Sequence, residues 1–241
     1  MHSRINLWSS PRNISTAMMY SFAQRKDMSV VDEPLYAHYL RCTDTEAEHP
    51  GTPEILATLE NDGEKVIEQM LQADYGSRHV LFKQMPHRLI ELNENFLFEM
   101  QNVLLIRNPR RIIASYAKVI DNPEMHDVGI EKQAELFDKL TAAGKLNAVL
   151  DTEEVLRNPR KVLTKLCEKL NLDFDENMLQ WQAGARAEDG VWAKYWYKNV
   201  HNSMGFLPYE KKEVMLSEEL EKLAERCRPF YEKLRKEAIK A

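Results

Sequence analysis

Arg12, Ser15 and Thr16 lie close together in Ser-Pro-Arg-Asn-Ile-Ser-Thr, just after a short apolar run and at the start of a helical one. A guanidinium fork, two hydroxyls and the free N–H groups of a helix start make an anion site, since amides and helix dipole both favour negative charge there. This is not a Walker A loop: GxxxxGK followed by Ser or Thr is required, and neither the glycines nor the Lys is present. A second Arg and hydroxyl pair, Arg107 and Ser115, falls in "VLLIRNPRRIIASY", with Arg107 closing an apolar run and Ser115 on the helix that follows. Between these stretches stand groups suited to proton transfer: Asp32 and Glu33 in "VVDEPLY", and Lys83 and His87 in "HVLFKQMPHRL". Glu33 and His87 are the candidate bases, His87 because imidazole titrates near neutrality. Each stretch alone has a plainer account: a turn, a charge that ends a strand, or a solvated pair before Pro34.

These residues need a scaffold that brings distant loops to one edge. Short β-rich runs recur at Ile5 to Trp8, Ser29 to Val31, His79 to Lys83, Val103 to Arg107 and Ala148 to Leu150, each followed by a loop and a segment of helical period. Continuous apolar strands alternating with helices imply α/β architecture, a parallel sheet covered on both faces, with ligands bound at the carboxyl ends of the strands. Punctuation supports the helices: Asn108-Pro109 and Asn158-Pro159 each open one, Thr52 caps another with Pro53 in its first position, and a charged helix from about Ser217 meets a kinking Pro229. The Thr52 segment reads as one amphipathic helix to Leu71, interrupted at Gly63. After Leu179 the chain is rich in aromatics and turn residues and reads as a cap on the same sheet, so that residues 1–241 form one domain. Trp192, Tyr195, Trp196 and Tyr197 either wall a ligand pocket or pack as core, and their burial value favours core.

Taken together, these stretches resemble the PAPS-dependent sulfotransferases. Pro11-Arg12-Asn13-Ile14-Ser15-Thr16 is similar to the family's 5′-phosphosulfate loop, in particular the Pro-Arg-Ser-Gly-Thr-Thr form of tyrosylprotein and many bacterial members, with Ile14 where the family usually has Gly. Arg107 and Ser115 resemble its 3′-phosphate element. "VLDTEEVLRNPRKVLTKLCEKLNLDFDENML" is similar to its later strand and Leu-rich helix, and "GVWAK" to its C-terminal Gly-x-Trp-Lys stretch, with Ala193 intervening before Lys194. The resemblance implies a P-loop-like three-layer sandwich with a helical, aromatic-rich C-terminal cap. It implies sulfuryl transfer from PAPS to a hydroxyl of a small-molecule acceptor, without a metal. On this reading Pro11, Arg12, Asn13, Ile14, Ser15 and Thr16 bind the 5′-phosphosulfate, Arg107 and Ser115 the 3′-phosphate, and Lys194 assists. Arg12 and Lys83 neutralise charge in flight. Glu33 is the base by analogy with tyrosylprotein sulfotransferases, whereas other branches use a His, the role His87 would take.

Composition sets bounds. A chain of 241 residues with formal net charge −5 lacks the basic footprint of a nucleic-acid binder, so any anion site is a local cluster. Cys42, Cys167 and Cys227 are scattered and without a CxxC pair, which suits a reducing, cytoplasmic setting. The histidines form no HExxH or similar pattern, and no run is long enough to cross a bilayer. The acidic loops "RCTDTEAEHPGTP" and "DNPEMHDVG" are candidate lids, pointing to a neutral or cationic acceptor. Two other functions draw on the same residues: an ATP-dependent small-molecule kinase of the P-loop type, which needs Mg²⁺ and a Walker Lys, and a catalytically silent nucleotide-binding module, which Ile14 would suit. Oligomeric state is not legible.

Overall fold

The computed structural model describes residues 2–43, 49–120, 122–211 and 213–241. Five strands occupy the five apolar runs: β1 (Ser3–Ser9), β2 (Met28–Asp32), β3 (His79–Gln84), β4 (Gln101–Ile106) and β5 (Leu146–Asp151). Every neighbouring pair is parallel, in the order β2-β3-β1-β4-β5. Arg107 therefore falls one residue past its strand rather than within it.

The helices are α1 (Ser15–Phe22), α2 (Tyr36–Cys42), α3 (Thr52–Thr58), α4 (Gly63–Gln72), α5 (Pro109–Tyr116), α6 (Met125–Val128), α7 (Ile130–Ala142), α8 (Thr152–Arg157), α9 (Pro159–Lys169), α10 (Ala193–Trp196), α11 (Lys198–His201) and α12 (Glu218–Lys236). Capping follows the sequence where a short polar side chain precedes proline: Asn108 accepts from the Arg110 amide at 3.0 Å, and Asn158 from the Lys161 amide at 3.1 Å. Ser217 caps α12, which runs as one helix through Pro229.

The segment from Thr52 is broken where an interruption is expected, at Gly63, and departs from expectation in its cap. It forms two helices, because Asp62 accepts from the Glu64 and Lys65 amides and starts α4 afresh. Gly63 is the first residue of that helix, and a side chain there would run into Leu92 and His38. Gly51, at φ +85°, takes the cap position in place of Thr52, whose hydroxyl donates to the His49 carbonyl at 2.7 Å.

Alternation along the strands divides the interior in two. Trp8, Val80, Phe82, Leu104, Ile106 and Val149 pack with α4, α5, α7 and α12 on one face, while Ile5, Leu7, Met28, Val30, Leu81, Val103, Leu105 and Leu150 pack with α1 and α9 on the other. The result is the expected three-layer α/β sandwich. A third apolar cluster joins Tyr36, Ala37, Leu40 and Ile55 to Trp192, Ala193 and Tyr197, seating the aromatic C-terminal segment on α2 and α3. None of the described helices is long and apolar enough to cross a membrane.

Candidate active site

The crossover from β3 to β4 passes β1, so the loops after β1 and β4 open side by side at the carboxyl edge of the sheet, where strand order reverses. Arg12 occupies the first loop in a left-handed conformation, φ +55°. Asn13 ties this loop down: its amide donates to the Leu105 carbonyl at 3.0 Å, and its Oδ1 accepts from the Ile14 amide at 2.8 Å and from the Thr152 hydroxyl. Helix α1 then starts with no acidic residue in its first turn and, unlike the Asn-capped α5 and α9, with no side-chain cap. Ser15 is buried and Thr16 half-buried in that first turn.

Ile14, at the position where the resembling loops carry Gly, has φ −92° and packs against the apolar cluster that includes α1. The backbone does not need glycine there. The residue that takes the left-handed turn is Arg12.

The two arginines converge. Arg12 Nε donates to the Ser115 hydroxyl at 3.0 Å, and Arg107 Nη1 donates to the backbone carbonyl of Arg12. Burial, then the like charges of Arg111 and Arg12, push the Arg107 guanidinium down to about 10. Its buried Nε has no hydrogen-bond partner. A half-buried cation with cationic neighbours and an orphaned donor is stabilised by an anion, and the uncapped start of α1 stands beside it.

A second cluster lies beyond β2 and β3. Lys83 is only 1% exposed and gives its protons to Asp32 Oδ1 at 2.8 Å, to Glu33 Oε1 and to the Tyr197 hydroxyl at 2.7 Å. Burial would lower this amine, but Asp32 and Glu33 outweigh it and hold it well above the usual lysine range. The Tyr197 hydroxyl donates to Asp32 Oδ2 at 2.7 Å and accepts from Trp192 Nε1 at 3.1 Å. Burial is the largest influence on Asp32 and leaves its carboxyl raised despite the pull of Lys83. For Glu33, burial acts upward too, but Arg88 and Lys83 prevail and hold it below the usual carboxylate range. Glu33 has left-handed backbone, φ +46°, and its Oε2 pairs with Arg88.

His87 sits in the short turn Pro86–Arg88, its ring edge-on to Tyr39 at 5.4 Å between centroids. Burial and then Arg88 push its imidazole down to about 3, so the ring is neutral. His49 is pushed down to about 4 for the same reasons, with its Nδ1 2.7 Å from the Tyr36 hydroxyl.

Most of the expected site residues thus gather along one sheet edge. Lys83 is neither at a solvent-facing strand end nor open to a phosphate, because three protein acceptors take its N–H groups. Lys194 lies on α10, exposed, and pairs with Glu54 of α3, so its side chain is committed away from the Arg12 loop. The aromatic cluster divides: Trp192 and Tyr197 are buried core, whereas Tyr195 and Trp196 are 45% and 37% exposed. Of the two acidic loops, residues 44–48 and 121 fall outside the described residues. Gly129, which ends the second, sits against Ser10 and Pro11. Arg88 was not anticipated from sequence. The available signal was the run of basic and imidazole residues from Lys83 to Arg88 facing the acidic pair 32–33, which the hydrophobic pattern of β3 does not reveal.

The sulfotransferase-domain family model matches residues 3–238. Two Arabidopsis thaliana proteins, branched-chain-amino-acid aminotransferase-like protein 1 and protein 2, are 39% identical over 235 residues and 36% identical over 232. Each alignment covers 96% of this chain and 41% of the relative, so the chain spans about two-fifths of the length of the curated relatives it matches. Among solved structures, a sulfotransferase from Alicyclobacillus acidocaldarius aligns with TM-score 0.56 at 13% identity, over 98% of this chain and 95% of that one. The sulfotransferase domain from the curacin biosynthetic pathway aligns at 0.54 and 16%, covering 94% and 97%. That from the Synechococcus PCC 7002 olefin synthase aligns at 0.51 and 20%, covering 94% and 95%. At these identities the likeness is one of fold.

Proposed function

The chain belongs to the sulfotransferase-domain family, and from that premise we propose that it transfers a sulfuryl group from PAPS to a hydroxyl of a small-molecule acceptor, with residues 1–241 acting as one domain. The observation that carries this reading is the convergence of Arg12 and Arg107 at the uncapped start of α1, with Arg107 Nε buried and unpartnered. Ser15, Thr16 and the α1 amides fit the 5′-phosphosulfate beside Arg12, and Ser115 fits the 3′-phosphate beside Arg107. Arg12 touches Ser115, so the two anion subsites adjoin, as the ends of one bisphosphorylated nucleoside require.

PAPS supplies the sulfuryl group, and the protein's share is positioning and fixed positive charge, as in phosphoryl transfer. The acceptor proton needs a base. Both Glu33 oxygens are held by cations, whereas neither ring nitrogen of His87 makes a hydrogen bond among the described residues. We therefore assign the base to His87, whose ring is neutral with both nitrogens unengaged, and give Glu33, which favours a proton there against burial and Arg88, the role of counter-charge for the imidazolium that forms. Lys83 holds that counter-charge in place, and Lys194 is left out of the donor site. The unpaired cysteines accord with the cytoplasm as the working compartment.

Thermal-shift titration with adenosine 3′,5′-bisphosphate against ATP tests the donor class before any acceptor is known. A saturable shift with the bisphosphate at concentrations where ATP gives none is the expected result. The reverse order sinks the proposal in favour of a kinase, and stabilisation without transfer from labelled PAPS across a panel of hydroxyl compounds marks a silent binding module.

A further inference from the structure

Arg88 is 3% exposed, yet its Nε has no hydrogen-bond partner. The guanidinium carbon lies 3.4 Å from the centroid of the Tyr36 ring and 5.9 Å from that of Tyr39, and Nη1 pairs with Glu33 Oε2. Resting on the sulfotransferase reading above, we propose that Arg88 is the positioning residue of the acceptor side: its guanidinium, held between the Tyr36 ring and the Glu33 carboxylate, sets the turn that carries His87.

The geometry supports this in three ways. The turn is a single tight one, closed by the Arg88 amide donating to the Met85 carbonyl at 3.0 Å, so fixing the Arg88 side chain fixes the residue before it. The rings around it form one continuous cluster: Tyr39 meets His87 at 5.4 Å and His49 at 5.6 Å, and Tyr36 meets His49 at 5.6 Å. Swinging the turn away would break the buried Arg88–Glu33 pair and leave Glu33 with Lys83 as its remaining cationic partner among the described residues, a change proteins resist. Arginine suits this place because one planar group stacks on a ring and meets a carboxylate at once, whereas an ammonium supplies the charge without the stack.

His87 feels Arg88 from its own turn, Glu33 from the end of β2, His49, and His126 from α6, with Tyr39 of α2 against its ring. Arg88, His49 and His126 oppose a proton on the imidazole, and Glu33 favours one.

Histidine NMR of the full chain, followed by pH titration, tests the proposal in Arg88→Met and Arg88→Lys. In the unsubstituted chain the His87 ring signals carry the ring-current shift of Tyr39 and stay those of a neutral imidazole through pH 5. Arg88→Met is expected to abolish that shift and let His87 take up its proton between pH 5 and 7. Arg88→Lys keeps the neutral ring but loses part of the ring-current shift. Signals and titration identical to the unsubstituted chain in a folded Arg88→Met overturn the proposal. Should that variant not fold, Tyr36→Leu, which removes the ring beneath the guanidinium, is compared with Tyr36→Phe, which removes only the hydroxyl that meets His49; the ring-current shift is expected to be lost in the first and kept in the second, and an unmoved His87 in Tyr36→Leu overturns the proposal. Bisphosphate binding is measured alongside: its absence in the unsubstituted chain defeats the donor reading alone and leaves the His87 result to be judged separately.

Discussion

Arg12 and Ser115 stand 103 residues apart in the chain and 3.0 Å apart in space, Nε to hydroxyl. That contact joins the loop after β1 to the helix after β4 and brings two sequence motifs together at one edge of the sheet. Removing Arg107, which braces the same loop through the Arg12 carbonyl, is expected to weaken bisphosphate binding by about 1.5–3 kcal/mol, roughly ten- to 150-fold. Isothermal titration of Arg107→Ala measures it, and unchanged affinity removes Arg107 from the site.

Arg12 holds a left-handed backbone conformation that costs an L side chain about 1 kcal/mol or more. On the function proposed above, that strain is kept for the anion the side chain holds. Arg12→Gly should therefore raise stability by about 1 kcal/mol while weakening bisphosphate affinity. Denaturant melts and titrations of one preparation decide it, and a variant less stable than the parent contradicts the strain account.

Among the described residues, Lys83 is the one cation that pairs with both Asp32 and Glu33. Replacing it with Met leaves two neighbouring carboxylates buried with one of them unpaired, and the expected loss is about 3–5 kcal/mol. Urea unfolding of Lys83→Met tests this. A loss below 1 kcal/mol would mean that the three contacts of Lys83 contribute little.

The assignment of the base makes opposite demands on two variants. His87→Ala is expected to lower turnover about 10²–10⁴-fold with bisphosphate affinity intact. Glu33→Gln should lower stability along with turnover, because Arg88 then loses its buried counter-charge and Lys83 keeps only Asp32. If Glu33→Gln is stable but inactive and His87→Ala retains activity, the two roles are exchanged.

Acid should destabilise the fold through His49 and His87. Burial, with Arg88 behind it, holds them at about 4 and about 3, whereas the unfolded chain binds these protons near 6.5. Between those values the unfolded state carries more protons, so stability is full above about pH 6.5 and falls as pH drops toward 4. Melting temperature measured from pH 7 to 4.5 should decline, and the decline should flatten in His49→Gln/His87→Gln.

What can be read from neighbours in the chain was legible in the chain. The five strands follow from short apolar runs, and Asn108-Pro109 and Asn158-Pro159 open helices because a capping amide and a preset φ act within one turn. Arg12, Ser15, Thr16, Arg107 and Ser115 were also legible, since a strand end followed by a helix start puts them at the same sheet edge. The break before Gly63 was less so, because Asp62 outcompetes a continuous apolar stripe only once Leu92 and His38 press against the glycine.

Tertiary packing alone decided the charged interior. Lys83, Lys194 and Arg88 are similar cations in the sequence, yet one is enclosed by Asp32, Glu33 and Tyr197, one pairs at the surface with Glu54, and one stacks on Tyr36. The reason is physical. Burial of a charge depends on which distant elements close over it and on whether they bring a partner, and neither is encoded within the few residues around it.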